Sequence, residues 1–282
     1  MIAGRKLPQP TWFVGCGNMG GAMVDGWRTA GVDLTGLTVI RPSGKAVEAA
    51  AVVTRFADAG PPPKLVVLAF KPQKLDEIAP QLRSWLTAKT VVMSVLAGVE
   101  TGSLRERFPG AAAIVRAMPN LPVAIRRGVI ALYSSDADDK QRQQLSELFA
   151  PLGFAPWMKD EAKLAAVGSV AGAGPAYVAR FIEALTKAAE GRGLSREMAS
   201  TVALETVLGT AWMAAVNGES MAALAKRVAS PTGTTEAGLK VLDHDHVLEQ
   251  LIAVTIEAAA QRAAELADEA KSPSLAEGVS LH

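Results

Sequence analysis

Thr11-Trp12-Phe13-Val14-Gly15-Cys16-Gly17-Asn18-Met19-Gly20 decides the fold of the first half of the chain. A short β-rich run enters a G-x-G-x-x-G turn, and a helical pattern follows through Trp27. Alone, such a glycine match says little; after a strand and before a helix it is a dinucleotide-binding fingerprint. Gly15 would make the tight turn, Gly17 would let a pyrophosphate approach the backbone, and Gly20 would let the helix pack on the strand. The helix N-terminus would face the phosphates. The alternative is a plain strand-to-helix turn. Cys16 holds a variable position of the motif and reads as packing or backbone contact, not as a nucleophile.

Outward from this turn, strand candidates recur at Leu37 to Ile40, Leu65 to Phe70 and Thr90 to Val95, with shorter ones at Ala113 to Arg116 and Gly128 to Leu132. Runs that are apolar on both faces suit a parallel sheet covered by helices. Their alternation with helical stretches predicts a Rossmann-like, doubly wound α/β domain over residues 1–158.

From about Asp160 the strand candidates almost vanish, and residues 159–282 read as an all-helical domain. Asp160 to Glu190 is helical, broken at Ala171-Gly172-Ala173-Gly174-Pro175, where the proline should kink or end a helix. Ser195 can cap a helix ending near Asn217-Gly218, a shorter one covers Ser220 to Ala229, and a long one covers Asp245 to Ala270. The tail from Lys271 is expected to fray. The helices from Ser195 to Val216 and from Asp245 to Leu266 are apolar over much of their circumference, so a partner subunit is expected on them; a compact monomeric bundle is the alternative.

Bulk composition narrows the function classes. The chain has 282 residues, 49% of them hydrophobic, enough for two domains. A net charge of +1 leaves no electrostatic footprint for nucleic acid or an anionic membrane. The single cysteine, Cys16, excludes an intrachain disulfide framework. Met1 to Pro10 holds no apolar signal core, and no apolar run approaches membrane-spanning length, so a soluble cytoplasmic protein is expected.

The end of the second strand selects the cofactor. NAD sites carry an acidic residue about 20 residues past the glycine turn. Here the sequence is Ile40-Arg41-Pro42-Ser43-Gly44-Lys45, without the acid. Arg41, Ser43 and Lys45 can surround a 2′-phosphate, which favours NADPH over NADH. Ordinary solvated charge is the alternative for Arg41 and Lys45.

A second loop, Ser230-Pro231-Thr232-Gly233-Thr234-Thr235, is small, hydroxyl-rich and uncharged, and a helical pattern follows it. Such a turn can hold a small carboxylate on the free N–H groups of the next helix. The simpler expectation is that Thr234 or Thr235 caps that helix.

Further pieces fall in order: Ala69-Phe70-Lys71-Pro72, Ser94-Val95-Leu96-Ala97-Gly98, Arg116-Ala117-Met118-Pro119-Asn120-Leu121-Pro122 and Gly172-Ala173-Gly174-Pro175-Ala176-Tyr177. With the glycine turn and the Ser230 to Thr235 loop, the chain resembles the pyrroline-5-carboxylate reductase family from about residue 11 to residue 267. The resemblance implies a Rossmann-like domain followed by a helical domain for substrate binding and dimerisation, with dimers that often assemble into pentamers of dimers. It implies reduction of a small cyclic imine to L-proline by NAD(P)H, the last step of proline biosynthesis. Gly15, Cys16, Gly17, Asn18 and Met19, with Arg41, Pro42 and Ser43, would hold the cofactor. Phe70, Lys71 and Pro72, with Ala97 and Gly98, would line its cleft, and Met118 and Asn120 would line the nicotinamide end. Lys71 would either approach cofactor phosphate or only flank the proline turn. Gly233, Thr234 and Thr235 would bind substrate, with Thr235 as the catalytic residue at the ring nitrogen.

The chain departs from the family at four places. Thr232 replaces the first glycine of SPGGTT, and would be strained if its φ is positive. Ala171 and Ala173 replace two serines of SGSGPAY, and Phe70 replaces a small aliphatic residue. Thr232 and Phe70 keep open a reductase of another cyclic imino acid, such as pyrroline-2-carboxylate. A non-catalytic NADPH sensor is a further alternative. A 3-hydroxyacid dehydrogenase would need an asparagine one turn after its lysine, but Lys163 is followed by Val167.

A protonated imine is already electrophilic, so positioning matters more than a strong acid or base. None of the matched motifs offers an obvious proton donor. The N–H groups of Gly233 to Thr235 are expected to hold the substrate carboxylate and the Thr235 hydroxyl the ring nitrogen. His244 and His246 read as a polar turn between helices, with no metal site expected.

Overall fold

The computed structural model describes residues 6–271. The first five residues and the tail beyond Lys271, where fraying was expected, lie outside the described residues.

Strands β1 (Thr11–Val14), β2 (Leu37–Ile40), β3 (Ala51–Val53), β4 (Leu65–Leu68), β5 (Val91–Ser94), β6 (Ala113–Pro119), β7 (Gly128–Tyr133) and β8 (Gly153–Phe154) form one sheet in the order β3-β2-β1-β4-β5-β6-β7-β8. All neighbours from β3 through β6 are parallel. β7 reverses against β6, pairing Arg116 with Tyr133 and Met118 with Ala131. Only residues 120–127 join these two strands; a parallel crossover needs about a dozen or more residues.

Alternate residues face opposite sides of the sheet, and each side has its own core. Phe13, Val39, Val67, Met93 and Val115 pack under α1 (Asn18–Thr29) and α4 (Asp139–Phe149), against Met23, Trp27, Leu148 and Phe149. Trp12, Ile40, Val66, Val92 and Ile114 pack under α2 (Leu75–Arg83) and α3 (Thr101–Arg107), against Leu82, Leu104 and Phe108. This is the expected doubly wound sheet, and it brings the carboxyl ends of β1, β2, β4, β5 and β6 to one edge.

By contacts the chain divides into two compact units, Met1–Ala173 with Ala259–His282, and Gly174–Ala258. The first keeps α5 (Glu161–Val167) and a π-helical turn, Gly168–Gly172. Pro175 lies in the first turn of α6 (Gly174–Glu190), where its missing N–H has no intrahelical role. It starts a helix there, and the π-helical turn makes the interruption.

The second unit holds α6, α7 (Arg196–Asn217), α8 (Met221–Val228), α9 (Thr234–Asp243) and the start of α10 (Val247–Lys271). Ser195 caps α7 by accepting the Met198 N–H, Gly218 ends it at φ +64, and Ser220 caps α8. α6 and α7 pack on each other. Val202, Leu208, Trp212 and Val216 of α7 and Leu251, Ile252 and Val254 of α10 are nevertheless exposed. The expectation that no segment approaches membrane-spanning length needs correction: α7 is long and apolar enough by length and composition. Its alanines raise the mean hydropathy of a helix whose sides are mostly uncovered.

Candidate active site

The glycine turn has the geometry its motif demands. Gly15 has φ +76 and donates its N–H to the Ile40 carbonyl at 2.8 Å. A Cβ there would sit 2.7 Å from the Ala69 carbonyl oxygen and 2.9 Å from the Phe70 Cβ. A Cβ on Gly20 would lie 3.4 Å from both the Ala69 Cβ and the Cys16 Sγ, so glycine permits the close helix–strand contact. Gly17 is different: a Cβ there would meet nothing within 4 Å. It is the N-cap of α1 and gives no side-chain cap. An open backbone position above an uncapped helix N-terminus fits a pyrophosphate. Cys16 is buried, which pushes its thiol pKa up, while the nearby Arg41 charge pulls it down. A protonated thiol is a poor nucleophile, as the packing role requires.

Beside β1, the end of β2 turns through Gly44 at φ +59. The Arg41 Nε donates to the Ser43 Oγ at 3.0 Å, and the Lys45 N–H donates to the same oxygen at 3.4 Å. Arg41, Pro42, Ser43 and Lys45 thus share one small turn, on which two cations flank a hydroxyl.

After β4, Phe70 is half-buried against the core and Lys71 is exposed, its carbonyl closing a turn from the Lys74 N–H at 2.9 Å. After β5, Ala97 is exposed and Gly98 has φ +75. A Cβ on Gly98 would stand 3.0 Å from the Ala267 nitrogen, so this glycine also admits the end of α10. The motif alone did not reveal that contact.

Met118 and Asn120 end β6. The Met118 side chain lies against Gly168, where a Cβ would come within 3.2 Å of its Cε. Asn120 is only 6% exposed. Its Oδ1 accepts the Val129 N–H at 2.8 Å and its Nδ2 donates to the Ala171 carbonyl at 3.0 Å. The amide is thus held on both sides by backbone.

Sequence reasoning assigned no role to Arg116 or Glu161. Arg116 is a buried cation in β6, 3.4 Å from the Glu161 carboxylate, whose other oxygen accepts the Thr101 N–H at 2.6 Å. Burial lowers the Arg116 pKa, and Glu161 and then Glu100 push it back up. A charged residue inside an apolar strand was the available signal.

In the second unit, Thr232 has φ +57, the left-handed conformation that strains a threonine. Its N–H donates to the Glu236 carboxylate at 2.5 Å, and its hydroxyl donates to the Pro231 carbonyl at 2.7 Å. The N-cap of α9 is Gly233, not either threonine, and it makes no side-chain cap bond. A Cβ on Gly233 would stand 2.4 Å from the Ser230 Oγ. The Gly233 N–H donates to the Ser230 carbonyl at 3.0 Å. Thr234 and Thr235 open α9, where first-turn N–H groups have no intrahelical acceptor. The half-buried Thr235 hydroxyl has no hydrogen-bond partner among the described residues. His244–His246 forms the turn between α9 and α10, and both histidines are exposed.

Two family models match. The model described as pyrroline-5-carboxylate reductase dimerisation covers residues 161–266, and one described as NADP oxidoreductase, coenzyme F420-dependent, covers residues 12–98. The chain is 36% identical to pyrroline-5-carboxylate reductase of Pseudomonas aeruginosa, over 91% of this chain and 96% of that protein. The chain belongs to the pyrroline-5-carboxylate reductase family. Its relative in Pisum sativum is 31% identical over 90% of this chain and 94% of that protein. The solved pyrroline-5-carboxylate reductase of Coxiella burnetii has a TM-score of 0.83 and 30% identity, covering 92% of this chain and 99% of that one. The Plasmodium falciparum pyrroline carboxylate reductase, solved with NADP bound, shares the fold at a TM-score of 0.82 and 24% identity, covering 94% and 100%.

Proposed function

We propose that this chain reduces 1-pyrroline-5-carboxylate to L-proline, the last step of proline biosynthesis, with NADPH as reductant. The observation that carries this reading is the similarity to the Pseudomonas aeruginosa reductase over nearly the whole length of both chains. A reduced nicotinamide cofactor supplies a hydride to the imine carbon. The rest of the work is binding and orientation by the chain. The α1 N-terminus above Gly17, with Asn18 and Met19, receives the pyrophosphate, and Arg41, Ser43 and Lys45 receive the 2′-phosphate. Phe70, Lys71, Pro72, Ala97 and Gly98 flank the cleft, and Met118 and Asn120 border the nicotinamide end.

The Thr234 and Thr235 N–H groups hold the substrate carboxylate on the Gly233 turn. The Thr235 hydroxyl orients the ring nitrogen, which carries a proton in the imine and remains bonded to it as the amine forms. The cofactor portion runs to about residue 158, and the helical portion from 159 binds substrate and dimerises. Support for dimerisation comes from the match over residues 161–266. The dimers assemble into pentamers of dimers in the cytoplasm.

NADPH oxidation followed separately with pyrroline-5-carboxylate and pyrroline-2-carboxylate tests the reading. Turnover with the first substrate is expected. Preference for the second would point to Thr232 and Phe70 as determinants of another imine reductase. NADPH binding without either turnover would indicate a sensor.

A further inference from the structure

Three residues of one β6 face meet one continuous segment. Arg116, Met118 and Asn120 alternate along the strand and its exit, so they point to the same side. Opposite them run α5 and the π-helical turn. Glu161 pairs with Arg116, Gly168 lies against Met118, and the Ala171 carbonyl takes the Asn120 amide. The Glu161 carboxylate also receives the Thr101 N–H, which opens α3 just after Ala97 and Gly98. One carboxylate therefore ties the middle of β6 and the loop after β5 to the segment that packs on Met118 and Asn120.

On the basis of the reductase reading, we propose that Arg116 and Glu161 are positioning residues that set the register of α5 on β6 and thereby fix Met118 and Asn120 at the nicotinamide end of the cofactor. In this role the pair acts through Met118 and Asn120 and not by its own contact with substrate or cofactor. Glu161 pairs with the buried cation at 3.4 Å, so removing that carboxylate charge leaves α5 without its polar anchor on the strand. The glycine turn and the Arg41 turn, which would carry the phosphates, are separate from it.

Glu161→Gln keeps an acceptor for the Thr101 N–H and removes only the charge. Its NADPH Kd should stay within about twofold of the parent, because phosphate contacts dominate that affinity. Its kcat for pyrroline-5-carboxylate should fall by about tenfold or more, the usual scale for a displaced reacting geometry. The fluorescence enhancement of bound NADPH, which reports the nicotinamide environment without turnover, should drop in parallel. Arg116→Lys should restore more of both signals than Arg116→Met. If Arg116→Met fails to fold, Glu161→Gln decides alone. Unchanged kcat and fluorescence in a folded Glu161→Gln protein would overturn the proposal. So would a loss of NADPH affinity in proportion to kcat, which marks a general structural defect. If the parent protein lacks imine reductase activity, the reductase reading fails instead, and the fluorescence comparison still tests the clamp.

Discussion

The Glu236 carboxylate, in the first turn of the helix that this loop leads into, accepts the Thr232 N–H at 2.5 Å. It holds in place a threonine at φ +57, a conformation that costs an L-residue roughly 1–2 kcal/mol. Glycine would adopt that conformation without the tether, so the two positions should be coupled. Glu236→Ala should lower stability by about 1–3 kcal/mol in the parent, and by clearly less in a Thr232→Gly background. Urea denaturation of the four proteins of this cycle measures the coupling; strictly additive effects would refute it.

Thr235 offers a hydroxyl that no neighbour among the described residues uses. Its removal should therefore affect substrate and leave the fold alone. Thr235→Val should cut kcat/KM by about 5- to 150-fold, equivalent to roughly 1–3 kcal/mol for a bond to a charged group. NADPH affinity should hold. An unchanged kcat/KM would remove Thr235 from the site.

Two glycines of one motif should fail in different ways. Gly15→Ala forces a side chain to φ +76 and into the Ala69 carbonyl, so it should cost about 2–4 kcal/mol of stability. Gly17→Ala meets open space in the protein, so its thermal midpoint should barely move. Its NADPH Kd should instead rise by about tenfold or more, because the new methyl occupies the pyrophosphate approach. Calorimetry and a binding titration on both variants separate the two roles.

Arg41 and Ser43 already touch each other, which orders the guanidinium before any phosphate arrives. Arg41→Asp should weaken NADPH by about 10- to 100-fold, the value of one charge-assisted contact, and leave NADH less affected. The ratio of kcat/KM for the two cofactors reads this directly. Equal losses for both would assign Arg41 to something other than the 2′-phosphate.

Asp136 supplies a pH dependence. Burial raises its pKa, but bonds from Arg105, the Ile114 N–H and the Ser134 hydroxyl together hold it below the ordinary carboxylate value. Its stabilisation is therefore present above an unfolded pKa of about 3.9 and disappears as pH falls through the lower folded value. Asp136→Asn should cost about 1–3 kcal/mol near neutrality. The gap from the parent should close on acidification below about pH 4. A gap that widens with acid would reverse the assignment.

The glycine turn, the central strands and the helix cap at Ser195 were legible because each depends on local chemistry. A strand of two or three residues, such as β8 or β3, is too short to display a period. The reversal of β7 follows from the length of one connection rather than from composition. The Gly233 turn was legible as a loop, but the use of its N–H by Ser230 was not, since motifs do not record which donors the loop consumes. Glu161 was invisible for a related reason: its partners, Arg116 and Thr101, are far away in sequence and meet it only in the folded chain.

The bare apolar flanks of α7 and α10 make protein concentration a thermodynamic variable for this fold. Where burial of Leu208, Val216 and Leu251 awaits another copy of the chain, dilution acts as a denaturant. The melting temperature should then climb with every increase in concentration, and a single value measured at one dilution describes the solution as much as the molecule.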